Sequence, residues 1–332
     1  MRVAVTGGGG RLGCALVRAL LARGDVVKVL EPAKGTPASL TGLKVEILHG
    51  SVLDAEAVAA LVDGADLVFH LAAKVNLDRD RDGSIQAVNV EGTRIVAEAC
   101  LVRGIRLVHC SSHHALTLKP FDIPHDETKP LALNDPCDYH RTKALGEQLV
   151  RGLVRERGLN AVIVNPGSMI GPDDYEPSLI GRALIDLYQG RIPVLMEVIS
   201  DYVDARDVAA GALNAAERGR RGEGYLLTGI VHDMREVLAM WQDLTGVAMP
   251  RVVLPIWVGW AMLPVTLATA RLTGKAPLFS AGVLRAAVSS RVVSHDKAKR
   301  ELGFSPRSAR DSLADALEFY RAQGWLDRAA AA

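Results

Sequence analysis

An apolar run, Arg2 to Thr6, breaks directly into four consecutive glycines, Gly7 to Gly10, with a fifth at Gly13. So much bare backbone between a strand and a helix constrains the fold more than any other feature of the chain. Residues Arg11 to Arg23 carry apolar side chains at spacings of three and four, the period of an amphipathic helix. Strand, glycine loop and helix in that order let the backbone turn tightly and approach a pyrophosphate, whose charge the helix N-terminus can meet. Thr6, Gly7, Gly10 and Gly13 give the spacing TGxxGxxG, and its context separates it from an ordinary glycine-rich turn.

The same alternation continues through the first half. Val26 to Leu30, Lys44 to Leu48, Leu67 to Leu71, Ile105 to Cys110 and Ala161 to Asn165 are rich in Val, Ile and Leu, as strands buried on both faces should be. Between them Ala55 to Val62 and Ser84 to Arg103 read as helices. Repeated βαβ units predict an α/β fold, a Rossmann-type doubly wound parallel sheet. After Pro166 strands become few and helices dominate. The expected division is a nucleotide-binding domain over 1–165, to which 200–219 returns, and a smaller, mainly helical substrate region over 166–199 and 220–332.

The second strand ends in Glu31, eighteen residues after Gly13. A carboxylate there accepts hydrogen bonds from both ribose hydroxyls and repels a 2′-phosphate, which favours NAD over NADP. Arg11 and Lys34 pull the other way.

Several partners are disfavoured. With 39 basic and 38 acidic side chains there is no net field to attract nucleic acid, and Arg218, Arg220 and Arg221 read as a solvated turn. Cys14, Cys100, Cys110 and Cys137 lack metal or disulfide spacing and fit the reduced thiols of a cytoplasmic protein, with no metal expected. Too little precedes the first strand to form a signal peptide. Val252 to Ala270 runs nineteen residues without a charge, approaching a membrane span. Pro255 and Pro264 interrupt it, which favours two short apolar helices lining a cleft or meeting a partner over membrane contact.

A second constellation lies further on. Tyr139 and Lys143, four apart in DYHRTKALGEQLV, share one helix face, and the strand Ile105 to Cys110 runs into Ser111 and Ser112 at its carboxyl end, where open α/β sheets bind ligands. Hydride transfer to a carbonyl creates an alkoxide that needs a proton donor, and free tyrosine titrates near pH 10. The Lys143 ammonium and a positive nicotinamide would lower that value, while Ser112 orients the carbonyl oxygen.

Together these motifs resemble the extended short-chain dehydrogenase/reductases, the family of sugar-nucleotide epimerases, dihydroflavonol reductases and 3β-hydroxysteroid dehydrogenases. TGGGGRLG is similar to its glycine loop, HLAA (His70 to Ala73) to its fourth-strand motif, NVEGT (Asn89 to Thr93) to a helix motif, and YHRTK to its active-site motif. NPGSMIGP (Asn165 to Pro172), DYVDARDVA (Asp201 to Ala209) and SHDKAKRELGFSP (Ser294 to Pro306) extend the likeness over nearly the whole chain. The resemblance implies Ser112, Tyr139 and Lys143 as catalytic trio. It implies cofactor contacts from Gly7, Gly10, Arg11, Leu12, Gly13, Glu31, Ser51, Val52, Leu71, Ala72, Ala73, Lys74, Asn89, Tyr139, Lys143, Pro166 and Ser168. Asn89 would support Lys143 through water, or serve as a polar helix position bonded to backbone.

Departures matter too. Where the family carries Gly-Asp after the third strand, this chain has Gly50-Ser51, with Asp54 the next carboxylate. His113 and His114 follow the catalytic serine and either line the substrate cleft with Met169, act as an extra acid, or are packed and hydrogen-bonded. Ser200 stands where sugar-nucleotide enzymes commonly place an arginine for the diphosphate. The apolar C-terminal half is closer to the dihydroflavonol reductase, 3β-hydroxysteroid dehydrogenase and hopanoid-associated epimerase-like branch.

The expected activity is hydride transfer between NAD and a secondary alcohol or ketone of a fairly apolar small molecule. A nucleotide-sugar epimerase or dehydratase with retained NAD, and a non-catalytic NAD(H)-sensing module, stay open as alternatives. A homodimer through the helices Ser84 to Arg103 and Tyr139 to Gly158 is a further expectation.

Overall fold

The computed structural model describes residues 1–32, 35–121, 123–273, 279–287 and 292–327, so Lys34 and the terminal Ala329 to Ala332 lie outside the described residues. Its strands are β1 (Arg2–Thr6), β2 (Val26–Glu31), β3 (Val45–His49), β4 (Leu67–His70), β5 (Arg106–Cys110), β6 (Ala161–Pro166), β7 (Ser168–Ile170), β8 (Val194–Met196), β9 (Ile199–Asp204), β10 (Gly224–Leu227), β11 (Ile230–Asp233) and β12 (Val252–Leu254). Seven of them form one sheet in the order β10-β6-β5-β4-β1-β2-β3, with every pairing parallel. This is the Rossmann-type fold that the sequence predicts.

The helices are α1 (Arg11–Ala22), α2 (Ala55–Val62), α3 (Ser84–Gln86), α4 (Thr93–Arg103), α5 (Asp138–Arg157), α6 (Leu179–Tyr188), α7 (Ala205–Arg218), α8 (Met234–Thr245), α9 (Ile256–Thr273), α10 (Ala281–Ala286), α11 (Asp296–Leu302) and α12 (Ala309–Ala322). Successive strand residues point to opposite faces, so each face of the sheet builds its own core. Val3 and Val5 join Leu16, Phe69, Val108 and Val208 beneath α1 and α7. Ala4 joins Leu61, Val68, Val96, Leu107 and Val150 beneath α2, α4 and α5. A third core, around Tyr202, Trp241, Leu313 and Tyr320, holds α6, α8 and α12 beside a small sheet in which β9 pairs with β7 and β11.

Three sequence expectations are corrected. The main sheet takes its seventh strand from Gly224–Leu227, inside the stretch assigned to the substrate region, because Tyr225, Leu226 and Leu227 are apolar and buried beside β6. Ser84 to Arg103 is not one regular helix, since Ala87–Gly92 winds as a π-helix, and that widened turn contains Asn89. Val252 to Ala270 is not two helices. It opens as β12, paired with β8, and continues as the single helix α9, with Pro255 just ahead of the first turn, where a missing donor costs nothing, and Pro264 inside. Among the described residues no helix is long and apolar enough to cross a membrane.

Candidate active site

Gly7 adopts φ +72, and a Cβ there would lie 2.8 Å from the backbone of Ala72, so the glycine loop presses directly on the segment leaving β4. A Cβ on Gly13 would lie 2.1 Å from the Gly7 carbonyl, so the first turn of α1 can approach the loop only as glycine. Gly10 caps α1 without a side-chain bond, and the first turn carries no acid. Its N–H groups are left to a ligand, the arrangement that suits a pyrophosphate. Leu12 faces the core.

Glu31 ends β2 beside this loop and accepts a 2.7 Å hydrogen bond from Gly9 N–H. Burial pushes its carboxyl pKa up, while the Gly9 and Gly8 N–H groups pull it back. A diphosphate on the α1 N-terminus and a ribose beside Glu31 fit this cradle, so the residues present suit a dinucleotide. Ser51 turns its hydroxyl to Leu53 N–H at 3.1 Å, Val52 is buried, and Asp54 is occupied as the N-cap of α2.

Past β4, the Leu71 and Ala72 N–H groups bond the carbonyl and hydroxyl of Thr6. The Thr6 hydroxyl also meets His70 Nδ1 at 2.8 Å, and His70 Nε2 meets Thr93 at 3.1 Å. This buried chain ties glycine loop, β4 and α4 together. Ala73 continues the segment, and Lys74 turns its ammonium to Ser84. Asn89 accepts from Lys74 N–H at 2.8 Å and donates to Lys74 C=O and to the Thr142 hydroxyl, both at 3.1 Å. Its amide therefore clamps the Lys74 backbone to α5.

Arg11 turns away from the loop. It pairs with Asp174 and donates a 2.6 Å bond to the Met169 carbonyl, tying α1 to the segment after β7.

Ser112 lies two residues past the end of β5, and its Oγ accepts from His114 N–H at 3.2 Å. Tyr139 lies in the first turn of α5, its phenol close enough to Ser112 for that hydroxyl to pull its pKa down. Lys143, one turn on, is buried and donates a 2.6 Å bond to the Cys110 carbonyl. The three catalytic candidates thus converge at the carboxyl edge of β5. Pro166 closes β6, and the Ser168 and Ser200 hydroxyls bond one another.

Sequence reasoning left Asn165, Asp201, Asp135 and His140 without roles. Asn165 Nδ2 donates to the Ser112 carbonyl at 3.1 Å and to the buried Glu147 at 2.7 Å, fixing the serine from behind. His113 is buried 3.6 Å from Asp201, and His114 stacks on His140 at 4.3 Å between ring centroids. A carboxylate inside an apolar strand, as in ISDYVD, was the available signal for Asp201. Among the described residues no three His, Cys, Asp or Glu side chains are placed to hold a metal ion.

The sequence profile of the NAD dependent epimerase/dehydratase family matches residues 3–227. The chain belongs to the NAD-dependent epimerase/dehydratase family. It is thereby an extended short-chain dehydrogenase/reductase, a group that includes reductases, epimerases and dehydratases. It is 36% identical to sterol demethylase protein B of Methylococcus capsulatus, covering 98% of this chain and 100% of that protein. It is 31% identical to a 4-hydroxy-2-methyl-3-oxo-4-farnesyl-3,4-dihydroquinoline-1-oxide ketoreductase of Stigmatella aurantiaca, covering 96% of each. The NAD-bound dTDP-glucose 4,6-dehydratase DesIV of Streptomyces venezuelae superposes with TM-score 0.79 at 25% identity, covering 98% of this chain and 100% of that one.

Within this epimerase/dehydratase-family fold, electrostatics separate the candidate groups. Burial pushes the Tyr139 phenol up to about 12, with Ser112 pulling the other way. The lowering that the sequence predicts from Lys143 does not come from the chain alone. Burial pushes the Lys143 ammonium down, and it holds His113 and His114 neutral. It also lifts Asp201 to about 7.

His140 behaves differently. Burial opposes its charge, but hydrogen bonds to Asp135 and Cys137 outweigh that and raise it to about 9. A histidine whose folded pKa exceeds the unfolded value of 6.5 stabilises the native state fully below that pH and loses the contribution as pH rises through 9. His140→Gln should therefore cost roughly 2–3 kcal/mol at pH 6 and little above pH 9. Thermal melts of both proteins across that range check this, and a constant difference would remove His140 from the pH response.

Proposed function

We propose that the chain is an NAD-dependent oxidoreductase acting on a secondary hydroxyl or ketone of an apolar, ring-bearing small molecule. The convergence of Ser112, Tyr139 and Lys143 at the carboxyl edge of β5 supports this reading above all. NAD, when bound, supplies the hydride acceptor or donor and, oxidised, a positive charge beside the phenol. Gly7, Gly10 and Gly13 would hold its diphosphate and Glu31 its adenosine ribose.

The Ser112 hydroxyl is placed to donate to the substrate oxygen. Tyr139 holds the proton that the oxygen gains on reduction or loses on oxidation. Lys143, fixed by Cys110 C=O, keeps a cation one helical turn from that phenol. Asn165 holds the serine's backbone so that the two hydroxyls stay together.

The substrate class rests on what surrounds this trio. The Ser200 hydroxyl bonds Ser168 where a diphosphate would need a cation, and Arg11 is already paired with Asp174. The names of two relatives, a sterol demethylase protein and a farnesyl-quinoline ketoreductase, point to apolar ring systems. Incubation with NAD and a panel of sterol and isoprenoid alcohols should yield one reduced nicotinamide per ketone formed. Isomerised or dehydrated sugar nucleotide without net reduced nicotinamide would replace this reading by that of a dTDP-glucose dehydratase-like enzyme, and NAD binding without any turnover would make the chain a sensor.

Preference for NAD follows from Glu31. Glu31→Ser should raise the ratio of NADPH to NADH affinity by roughly tenfold, about 1.4 kcal/mol, since the carboxylate that would face a 2′-phosphate is gone. Equal affinity of the unaltered protein for both cofactors would overturn the argument.

A further inference from the structure

We infer that α9 is a docking helix for an anionic lipid bilayer, lying in the plane of the membrane surface beside a cavity that reaches Lys74. The inference goes beyond the reaction proposed above and stands on the helix itself. Ile256–Thr273 is about 27 Å long, and its one charged side chain is Arg271. A helix apolar all round is ordinarily buried in a core or in lipid. Among the described side chains of α9 only Gly259 and Thr266 are buried, Gly259 against Met196 and Leu284.

The remainder turns outward in an ordered way. Trp257, Trp260, Pro264, Val265, Ala268 and Leu272 recur at intervals of three and four, so they share the face opposite Gly259 and Thr266. Trp257 is 66% and Leu272 86% exposed. A contiguous apolar face of this kind marks an interaction site.

Charge decides which partner fits. From Leu244 to His295 the sequence has no Asp or Glu but five basic residues, Arg251, Arg271, Lys275, Arg285 and Arg291, although the whole chain is balanced at 39 basic and 38 acidic. The Arg285 guanidinium sits 5.5 Å from the centre of the Trp260 ring. Exposed tryptophans flanked by arginines, with no carboxylate in the stretch, match the boundary of an anionic bilayer, where aromatic rings sit at headgroup depth and each cation adds about 1 kcal/mol. A second copy of this chain would bring Arg271 and Arg285 against themselves. Since α9 cannot span a bilayer, it lies on one.

Its position gives the contact a use. Leu267, Ala270 and Arg271 line a cavity of about 710 Å³ together with Lys74, Ser84 and Ile85 and the charged run Asp78 to Asp82, next to the cofactor-side segment. A substrate taken up at the membrane surface would meet this charged cavity beside α9.

Co-sedimentation of the full chain with vesicles tests the proposal without any substrate, so its failure is separate from failure of the proposed reaction. The protein should pellet with phosphatidylcholine vesicles containing phosphatidylglycerol, at least tenfold less with phosphatidylcholine alone, and less in high salt. Trp257→Glu combined with Leu272→Glu should lower binding at least tenfold. Because both side chains are exposed, the melting temperature should stay unchanged, which separates lost docking from lost folding. No binding to anionic vesicles, or equal binding by the double variant, overturns the proposal. So does a solution dimer that the double variant converts to monomer without any vesicle binding, which would give the face to a second copy.

Discussion

Replacing Tyr139 with Phe is expected to lower kcat by about 10²–10⁴-fold, the usual worth of a positioned proton donor, with little change in KM or in NAD affinity. The ring is half-buried in the first turn of α5, and the substitution deletes only the oxygen that meets Ser112. Packing is kept, so the melting temperature should hold. Single-turnover rates with the preferred alcohol, beside calorimetric NAD titration, separate chemistry from binding. A Tyr139→Phe enzyme with unaltered kcat would take Tyr139 out of the reaction and leave the site a binding module.

Replacing Gly13 with Val is expected to abolish nucleotide binding. The added Cβ would stand 2.1 Å from Gly7 C=O and 2.6 Å from Gly8 Cα, both backbone atoms that cannot rotate aside. Either the loop lifts from α1 or the helix withdraws from β1, and in both cases the N–H groups lose their common focus. Two lost amide contacts to a charged group at roughly 1.5–3 kcal/mol each predict at least a hundredfold weaker NAD binding. The same crowding should cost about 1–3 kcal/mol of stability. Titration of NAD against both proteins, with a denaturant melt, checks the two numbers; near-normal affinity would show that the loop's closeness to α1 is not what holds the nucleotide.

Tyr139 and Gly13 are both legible before any coordinates. The spacing TGxxGxxG after a buried strand leaves one economical geometry, and YxxxK places two side chains on one helix face whatever the rest of the chain does. Local periodicity carries that information, because strand and helix repeat within a few residues. The division of the chain was less legible. Gly224–Leu227 is a four-residue apolar stretch like many others, and only its pairing with β6 makes it the seventh strand. The prolines of 252–270 disrupt less than their chemistry suggests, because Pro255 falls ahead of the helix and Pro264 removes a single backbone bond.

Site residues divide along the same line. Ser112, Tyr139, Lys143 and Glu31 sit in motifs whose chemistry names them. Arg11 belongs to such a motif and yet turns to Asp174, far along the chain, a partner no local pattern reveals. Asn165 becomes a support for Ser112 because β5 and β6 are neighbours, and His113 meets Asp201 of β9, nearly ninety residues on.

The sequence by itself determined the class of fold, the glycine cradle and the candidates for the reacting groups, since each follows from patterns among residues close in the chain. Tertiary structure alone decided which strand closes the sheet, which partners meet Arg11 and His140, how far Asp201 is buried, and which face of α9 is left uncovered. Those outcomes depend on burial and on pairs distant in sequence, where the cost of desolvating a charge or exposing an apolar face is settled only once the chain has packed.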